Sequence, residues 1–256
     1  MFALATPTNA QGGWALDQGV MIRNGRADTG AMFRGMLSYG ITEDVQASVS
    51  FPAVFASAPL APARTTSLMP GTGDFEAILA WRFHRRGADV GTRFESTAYG
   101  GIIQPGPQEP PEILGTLRKA PGVWTAVATG LASRSHYLWG GLGYTRFADS
   151  QGDRRPDLLF YSLAWGYRPR VWRKDYPHWD WRVFTELTGE NSTRARQGRL
   201  EVAGTGGHQI FVGPSTLGIY KNYAIEAGMQ FPVFRQVGAR HQREKFRFAV
   251  NLAYFF

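Results

Sequence analysis

Twelve charged residues spaced along the chain carry most of its chemical potential. They are Asp17, Arg23, Arg34, Asp74, Glu76, Arg82, Arg93, Glu95, Arg182, Glu186, Glu226 and Arg247. Six are acids and six are arginines, with no lysine among them. The planar guanidinium pairs with carboxylates in two-point geometry, so an enclosed wet space lined by this set can hold a cross-strand salt-bridge ladder. Such pairs also serve structure alone, each satisfying the other inside a closed wall. Both signs recur at every depth, which predicts a narrow polar passage or a filled one rather than a one-sign ion filter.

Other chemistry is weakly represented. His84, His136, His178, His208 and His241 fall at predicted strand ends, turns or loops, and no HExxH or GxSxG motif occurs. A lipid hydrolase built on a barrel, such as outer-membrane phospholipase A, needs Ser and His on neighbouring strands, and His208 is the best available candidate for that alternative. The reading is nonetheless of a non-enzyme, with no cofactor and no metal. Gly71-Thr72-Gly73 and Gly204-Thr205-Gly206-Gly207 precede strands rather than helices, which argues against a phosphate-cradling loop. Arg194-Ala195-Arg196-Gln197-Gly198-Arg199 and Arg240-His241-Gln242-Arg243 are basic but contain no aromatic side chain for stacking, so they suit lipopolysaccharide phosphates better than nucleic acid.

The elements that must position these residues are strands. Glycine makes up 31 of 256 residues, aromatic residues 14% and charged residues only 19%, a composition unlike a helical bundle or a disordered chain. The net charge of +8 suits anionic headgroups. Cysteine is absent, so disulfide frameworks and cysteine-ligated zinc are excluded. No run approaches the roughly 18 apolar residues of a spanning helix. Alternation of period two instead marks twelve segments, at about 13–24, 30–40, 44–55, 72–84, 89–103, 122–134, 136–148, 156–168, 179–191, 207–220, 222–234 and 244–256. Each matches the roughly 9 to 11 residues of a tilted membrane strand. Residues 1–12, including Phe2-Ala3-Leu4-Ala5-Thr6-Pro7, read as a flexible lead-in or the remnant of a targeting segment, and 13–256 as one domain.

Connections alternate as well. Gly40-Ile41-Thr42-Glu43, Arg85-Arg86-Gly87-Ala88, Arg134-Ser135 and Lys221-Asn222 are tight, with 169–178 the exception, whereas 56–71, 104–121, 149–155, 192–206 and 235–243 are long and include stretches rich in Pro, Gly and Ser. Tight turns on one rim and long loops on the other are the pattern of an all-β, 12-stranded antiparallel transmembrane barrel of up-and-down topology, turns facing the periplasm. In the last segment Phe246, Phe248, Val250, Leu252, Tyr254 and Phe256 share one face, an ending that resembles the signature read by the outer-membrane assembly machinery. The same parity assigns an outward set: Phe33, Leu37 and Tyr39; Val45, Val49, Phe51 and Phe55; Phe75, Leu79, Trp81 and Phe83; Trp181, Val183 and Leu187; Tyr223, Ile225, Met229 and Phe231. In a soluble barrel or sandwich this set would be the core. A polar face whose cations are all arginine argues for the membrane form.

Tyr39-Gly40-Ile41-Thr42-Glu43-Asp44-Val45, Gly71-Thr72-Gly73-Asp74-Phe75 running to Trp81-Arg82-Phe83, Tyr220-Lys221-Asn222-Tyr223 and Gln230-Phe231-Pro232-Val233 resemble the MetA-pathway of phenol degradation family of outer-membrane transporters. The resemblance runs from about residue 14 to the C-terminus and implies a barrel that moves small, often hydrophobic or aromatic compounds. It transfers no catalytic residue. The sequence thus predicts an outer-membrane channel for small molecules in contact with membrane lipids, with a structural or partner-binding barrel of closed lumen as the alternative.

Overall fold

The computed structural model describes residues 2–6, 8–25, 29–53, 74–87, 91–106, 117–118, 120–173, 177–239 and 243–256. The expectations at Phe55, at Gly71-Thr72-Gly73, at Arg240-His241-Gln242 and for most of loops 56–71 and 104–121 lie outside the described residues.

Twelve antiparallel strands close into a barrel. They are β1 (Trp14–Gly25), β2 (Thr29–Gly40), β3 (Val45–Ala53), β4 (Phe75–Gly87), β5 (Arg93–Gln104), β6 (Gly122–Ala132), β7 (His136–Phe147), β8 (Leu158–Tyr167), β9 (Asp180–Ser192), β12 (Gly207–Tyr220), β13 (Tyr223–Val237) and β14 (Glu244–Phe255), with β10 (Arg196–Gln197) and β11 (Leu200–Glu201) forming a small hairpin inside the long connection from β9 to β12. Each barrel strand pairs with its neighbour in sequence, and β1 pairs with β14 to close the seam, Ala15 opposite Phe255 and Arg23 opposite Arg247. The seam continues past the strand end, where Trp14 N donates to Phe256 O at 2.8 Å and Phe256 N to Trp14 O at 3.0 Å. Every segment expected from the alternation is a strand here, displaced by a few residues at most.

The tight rim is built from short turns, apart from the 168–179 connection between β8 and β9. In the β12–β13 hairpin only Lys221 and Asn222 intervene, and Lys221 adopts φ 51°, the left-handed geometry that lets a two-residue turn match strand twist. The long-loop rim carries the β10–β11 hairpin, whose seating includes Asp153: its carboxylate accepts Gly198 N at 2.7 Å and Arg118 N at 3.1 Å.

Side chains alternate through the wall because the strand period is two. Val49, Leu79, Trp81, Ile102, Val123, Leu142, Leu163, Phe231 and Leu252 stand exposed on the outside, while Ala80, Ala128, Ala164, Phe184 and Ala249 are buried on the inside. Aromatic rings cluster at the tight rim, with Trp14 against Tyr39 (4.6 Å between centroids), Tyr223 against Tyr254 (4.9 Å) and Trp179 against Tyr220 (5.3 Å). An apolar belt bounded by such rings is the outer surface expected of a barrel immersed in lipid.

Candidate functional site

These strands enclose a polar lumen, and charged residues picked out in the sequence meet there in three layers. Near the long-loop rim, Arg247 on β14 reaches across the barrel to Glu190 on β9, Nη1 to Oε1 at 2.5 Å and Nη2 to Oε2 at 3.0 Å, while its Nε donates to Glu244 at 2.5 Å. The guanidinium carbon lies 3.7 Å from the centre of the Phe211 ring, a cation–π contact on a desolvated face. Gln209 donates to Glu190 at 3.0 Å. Arg23 stands directly opposite Arg247 on the neighbouring strand. Two arginines and two glutamates therefore share one buried neutral cage. On the same rim, Asp74 is held by Arg155 at 2.5 Å and by the amide of Gly106 at 3.2 Å.

The middle layer is less closed. Arg34 donates to Glu76 at 2.7 Å and to Ser50 at 2.7 Å, with nearly half of its side chain exposed. Asp17 shares this inner face, and Asn251 donates to Glu226 at 3.2 Å. Glu186, fully buried, has a different kind of partner: its Oε2 accepts the main-chain amides of Phe2 and Ala3, each at 2.7 Å, and its Oε1 accepts from Ser215. Residues 2–6 of the expected lead-in are thus folded inside the barrel. Leu4 N donates to Ser162 Oγ at 3.1 Å, Thr97 Oγ1 donates to Thr6 O at 2.7 Å, and Tyr99 Oη donates to Ala5 O. Further along, Asn9 N donates to Gln46 at 2.8 Å before the chain turns at Gly12 onto the rim.

At the tight rim Arg82 binds Asp44 at 2.8 Å, Glu95 at 3.2 Å and the Glu43 carbonyl at 2.6 Å, and Glu95 also meets Arg93 at 3.1 Å. Arg182 donates to Asp180 at 3.0 Å and lies over the Tyr137 ring. Beside it Tyr137, Trp139 and Phe184 form an inward aromatic cluster that also covers Ala3.

Several partners of the residues singled out in the sequence escaped that reading. Glu190 follows Glu186 in the same parity inside the expected segment 179–191, and parity alone could have found it. Glu244 could not, because a register irregularity beside Asn24 and Gly25 turns it inward against parity. Arg155 stands in a connection, where period-two reasoning has no force, whereas Asp44 and Asp180 stand at the starts of the expected segments 44–55 and 179–191 in the inward parity. Arg34 pairs with Glu76, the carboxylate it reaches on the lumen face.

The hydrolase candidate does not assemble. His208 faces outward, where Nε2 meets Tyr161 Oη at 2.9 Å and its ring packs on Phe234. Ser215 of the same strand points inward to Glu186. Among the described residues no group of three or more His, Asp or Glu could hold a metal ion.

These features are those of a charge-lined barrel, and solved structures share the architecture. The chain is similar to the NanC porin. The match covers 93% of this chain and 98% of that one, with a TM-score of 0.56 at 10% identity. LpxR from Salmonella typhimurium aligns over 94% of this chain and all of its own, with a TM-score of 0.53 at 11% identity. At such identities the likeness is one of fold. No protein-family profile and no curated sequence matches the chain.

Proposed function

We propose that the protein is a bacterial outer-membrane channel for small solutes. The observation that carries this reading is the inversion of an ordinary protein: apolar side chains stand on the outside of a closed barrel and an ion-paired polar face lines its interior, which only a lipid surround makes favourable. The tight turns lie in the periplasm and the β10–β11 loop outside the cell. Membrane lipids cover the belt, lipopolysaccharide meets the loop arginines, and the assembly machinery reads β14. Tyr137, Trp139 and Phe184, an aromatic patch beside Arg182 in the lumen, favour hydrophobic or aromatic solutes, the class implied by the MetA-pathway resemblance.

Purified chain reconstituted in a planar bilayer should give stepwise currents. A barrel that inserts in folded form yet carries no current would overturn the channel reading in favour of the second one, a structural barrel with a filled lumen, which the buried Arg247 cage and the seated residues 2–6 support. Orientation is tested separately by single cysteines: a membrane-impermeant thiol reagent on whole cells should label Leu200→Cys and spare Asn222→Cys, and the reverse pattern would invert the topology.

A further inference from the structure

The contacts of residues 2–6 share a property that packing alone does not demand. Lumen side chains from three strands read the main chain of this segment. Glu186 on β9 takes the amides of Phe2 and Ala3, Ser162 on β8 takes that of Leu4, and Tyr99 and Thr97 on β5 supply donors to the carbonyls of Ala5 and Thr6. Glu186 and Thr97 are fully buried. Among the described residues Glu186 has no salt bridge; its partners are neutral N–H and O–H donors. A buried carboxylate with that environment is satisfied only while something presents amide hydrogens to it.

The wall is also cut to fit. A Cβ on the inward-facing Gly141 of β7 would lie 2.8 Å from the Leu4 Cβ, and one on Gly228 of β13 would lie 3.0 Å from the Phe2 ring, so each glycine leaves the space a plug side chain fills. Ala3 sits against Tyr137, Trp139 and Phe184.

We infer that this part of the lumen is a binding site for an extended peptide main chain, and that residues 2–6 occupy it as a displaceable plug that closes the channel. The inference rests on the channel reading for its consequence but not for its geometry. No continuous strand ladder holds the segment: its described hold is side chains on main chain, a handful of hydrogen bonds each of modest net strength. Release would uncover Glu186 and the aromatic patch together, joining an acid and an apolar wall in the open passage.

Two measurements test it on the full chain, each variant first checked for folded, heat-modifiable migration. In the first, Ala3→Cys serves as a reporter for a small aqueous thiol reagent. Labelling should be slow in the otherwise unchanged chain and about tenfold faster or more when Tyr99→Phe and Thr97→Val remove two donors to the segment. Gly141→Ala, which crowds Leu4 from the strand position paired with Ser162, should accelerate it as well. Equal rates in all three would overturn the site, whether or not the barrel conducts. In the second, the pair Leu4→Cys and Gly141→Cys, whose Cβ atoms come within about 1 Å of disulfide spacing, is oxidised in a planar bilayer. Current should vanish on oxidation and return with reductant. Currents unchanged by the cross-link would show that the segment does not obstruct the path, and would overturn the plug while leaving the channel intact. Fast labelling changes without current in any variant would retain the peptide site and remove the channel.

Discussion

Replacing Arg247 by Met keeps most of the volume packed on Phe211 and removes the charge. Arg247 makes two contacts with Glu190 and one with Glu244, and both carboxylates are fully buried. Without it the cage holds Arg23 and two glutamates, one uncompensated negative charge in a space closed to water. Breaking a buried pair from one side costs about 3 to 5 kcal/mol. The nearby Arg23 guanidinium offsets part of this, so about 3 kcal/mol is expected, near a hundredfold change in the folding equilibrium. Removing the stranded charge as well, in Arg247→Met with Glu190→Gln, leaves Arg23 against Glu244 and should recover more than half of the loss. Urea titration of the barrel in lipid vesicles, followed by the fluorescence of its eight tryptophans, gives both values and their coupling. A single variant that loses less than about 1 kcal/mol, as an exposed pair would, would refute the argument, as would a double variant no more stable than the single.

Three further outcomes follow from the geometry. Val250→Arg, on the lipid face at mid-strand, should cost about 2 to 4 kcal/mol in the same titration, whereas Asn251→Ser one position along, facing the lumen, should cost far less; equal losses would mean that the facing of β14 is wrong. Arg34→Gln should move the reversal potential under a salt gradient towards cations, because Glu76 is left without its partner at 2.7 Å and Asp17 shares the face; an unchanged potential would remove Arg34 from the permeation path. On the long-loop rim, the amides of Gly198 and Arg118 hold the Asp153 carboxyl below its usual 3.8. A depressed folded-state value means that its support is complete above the ordinary carboxylate range and is lost as pH falls through the lowered value. Hydrogen exchange at the Gly198 amide, corrected for the intrinsic rate, should therefore lose protection below about pH 3.8, and protection that stays level down to pH 2 would refute the assignment.

The strands were legible because a wall one residue thick with unlike solvents on its two faces forces alternation, which marks all twelve strands and breaks only at local register irregularities such as those beside Arg82, Ile210 and Asn24. The inward position of the charged set follows from the same parity. Pairing did not follow, since which carboxylate meets Arg247 depends on the curvature that brings β9 across to β14 and on the local irregularity that turns Glu244 inward. The seat of residues 2–6 was the least legible feature. Phe2-Ala3-Leu4-Ala5-Thr6 is held through its main-chain amides and carbonyls, which every residue type carries alike, so its composition gave no sign of a partner. Gly141 and Gly228 were lost among 31 glycines.

The seam between β1 and β14 sets the order in which such a barrel can form. Ala15 and Phe255 are paired although 240 positions separate them, while every other strand finds its partner next in sequence or, at β9 and β12, across one loop. The local hairpins close small loops and come at low entropic cost; the seam must close the largest loop in the molecule and gains its hydrogen bonds last. Until then the chain is an open sheet whose two unpaired edges, β1 and β14, would each accept another strand. The aromatic end of β14 therefore lies on one of the two edges that stay unpaired until the barrel closes.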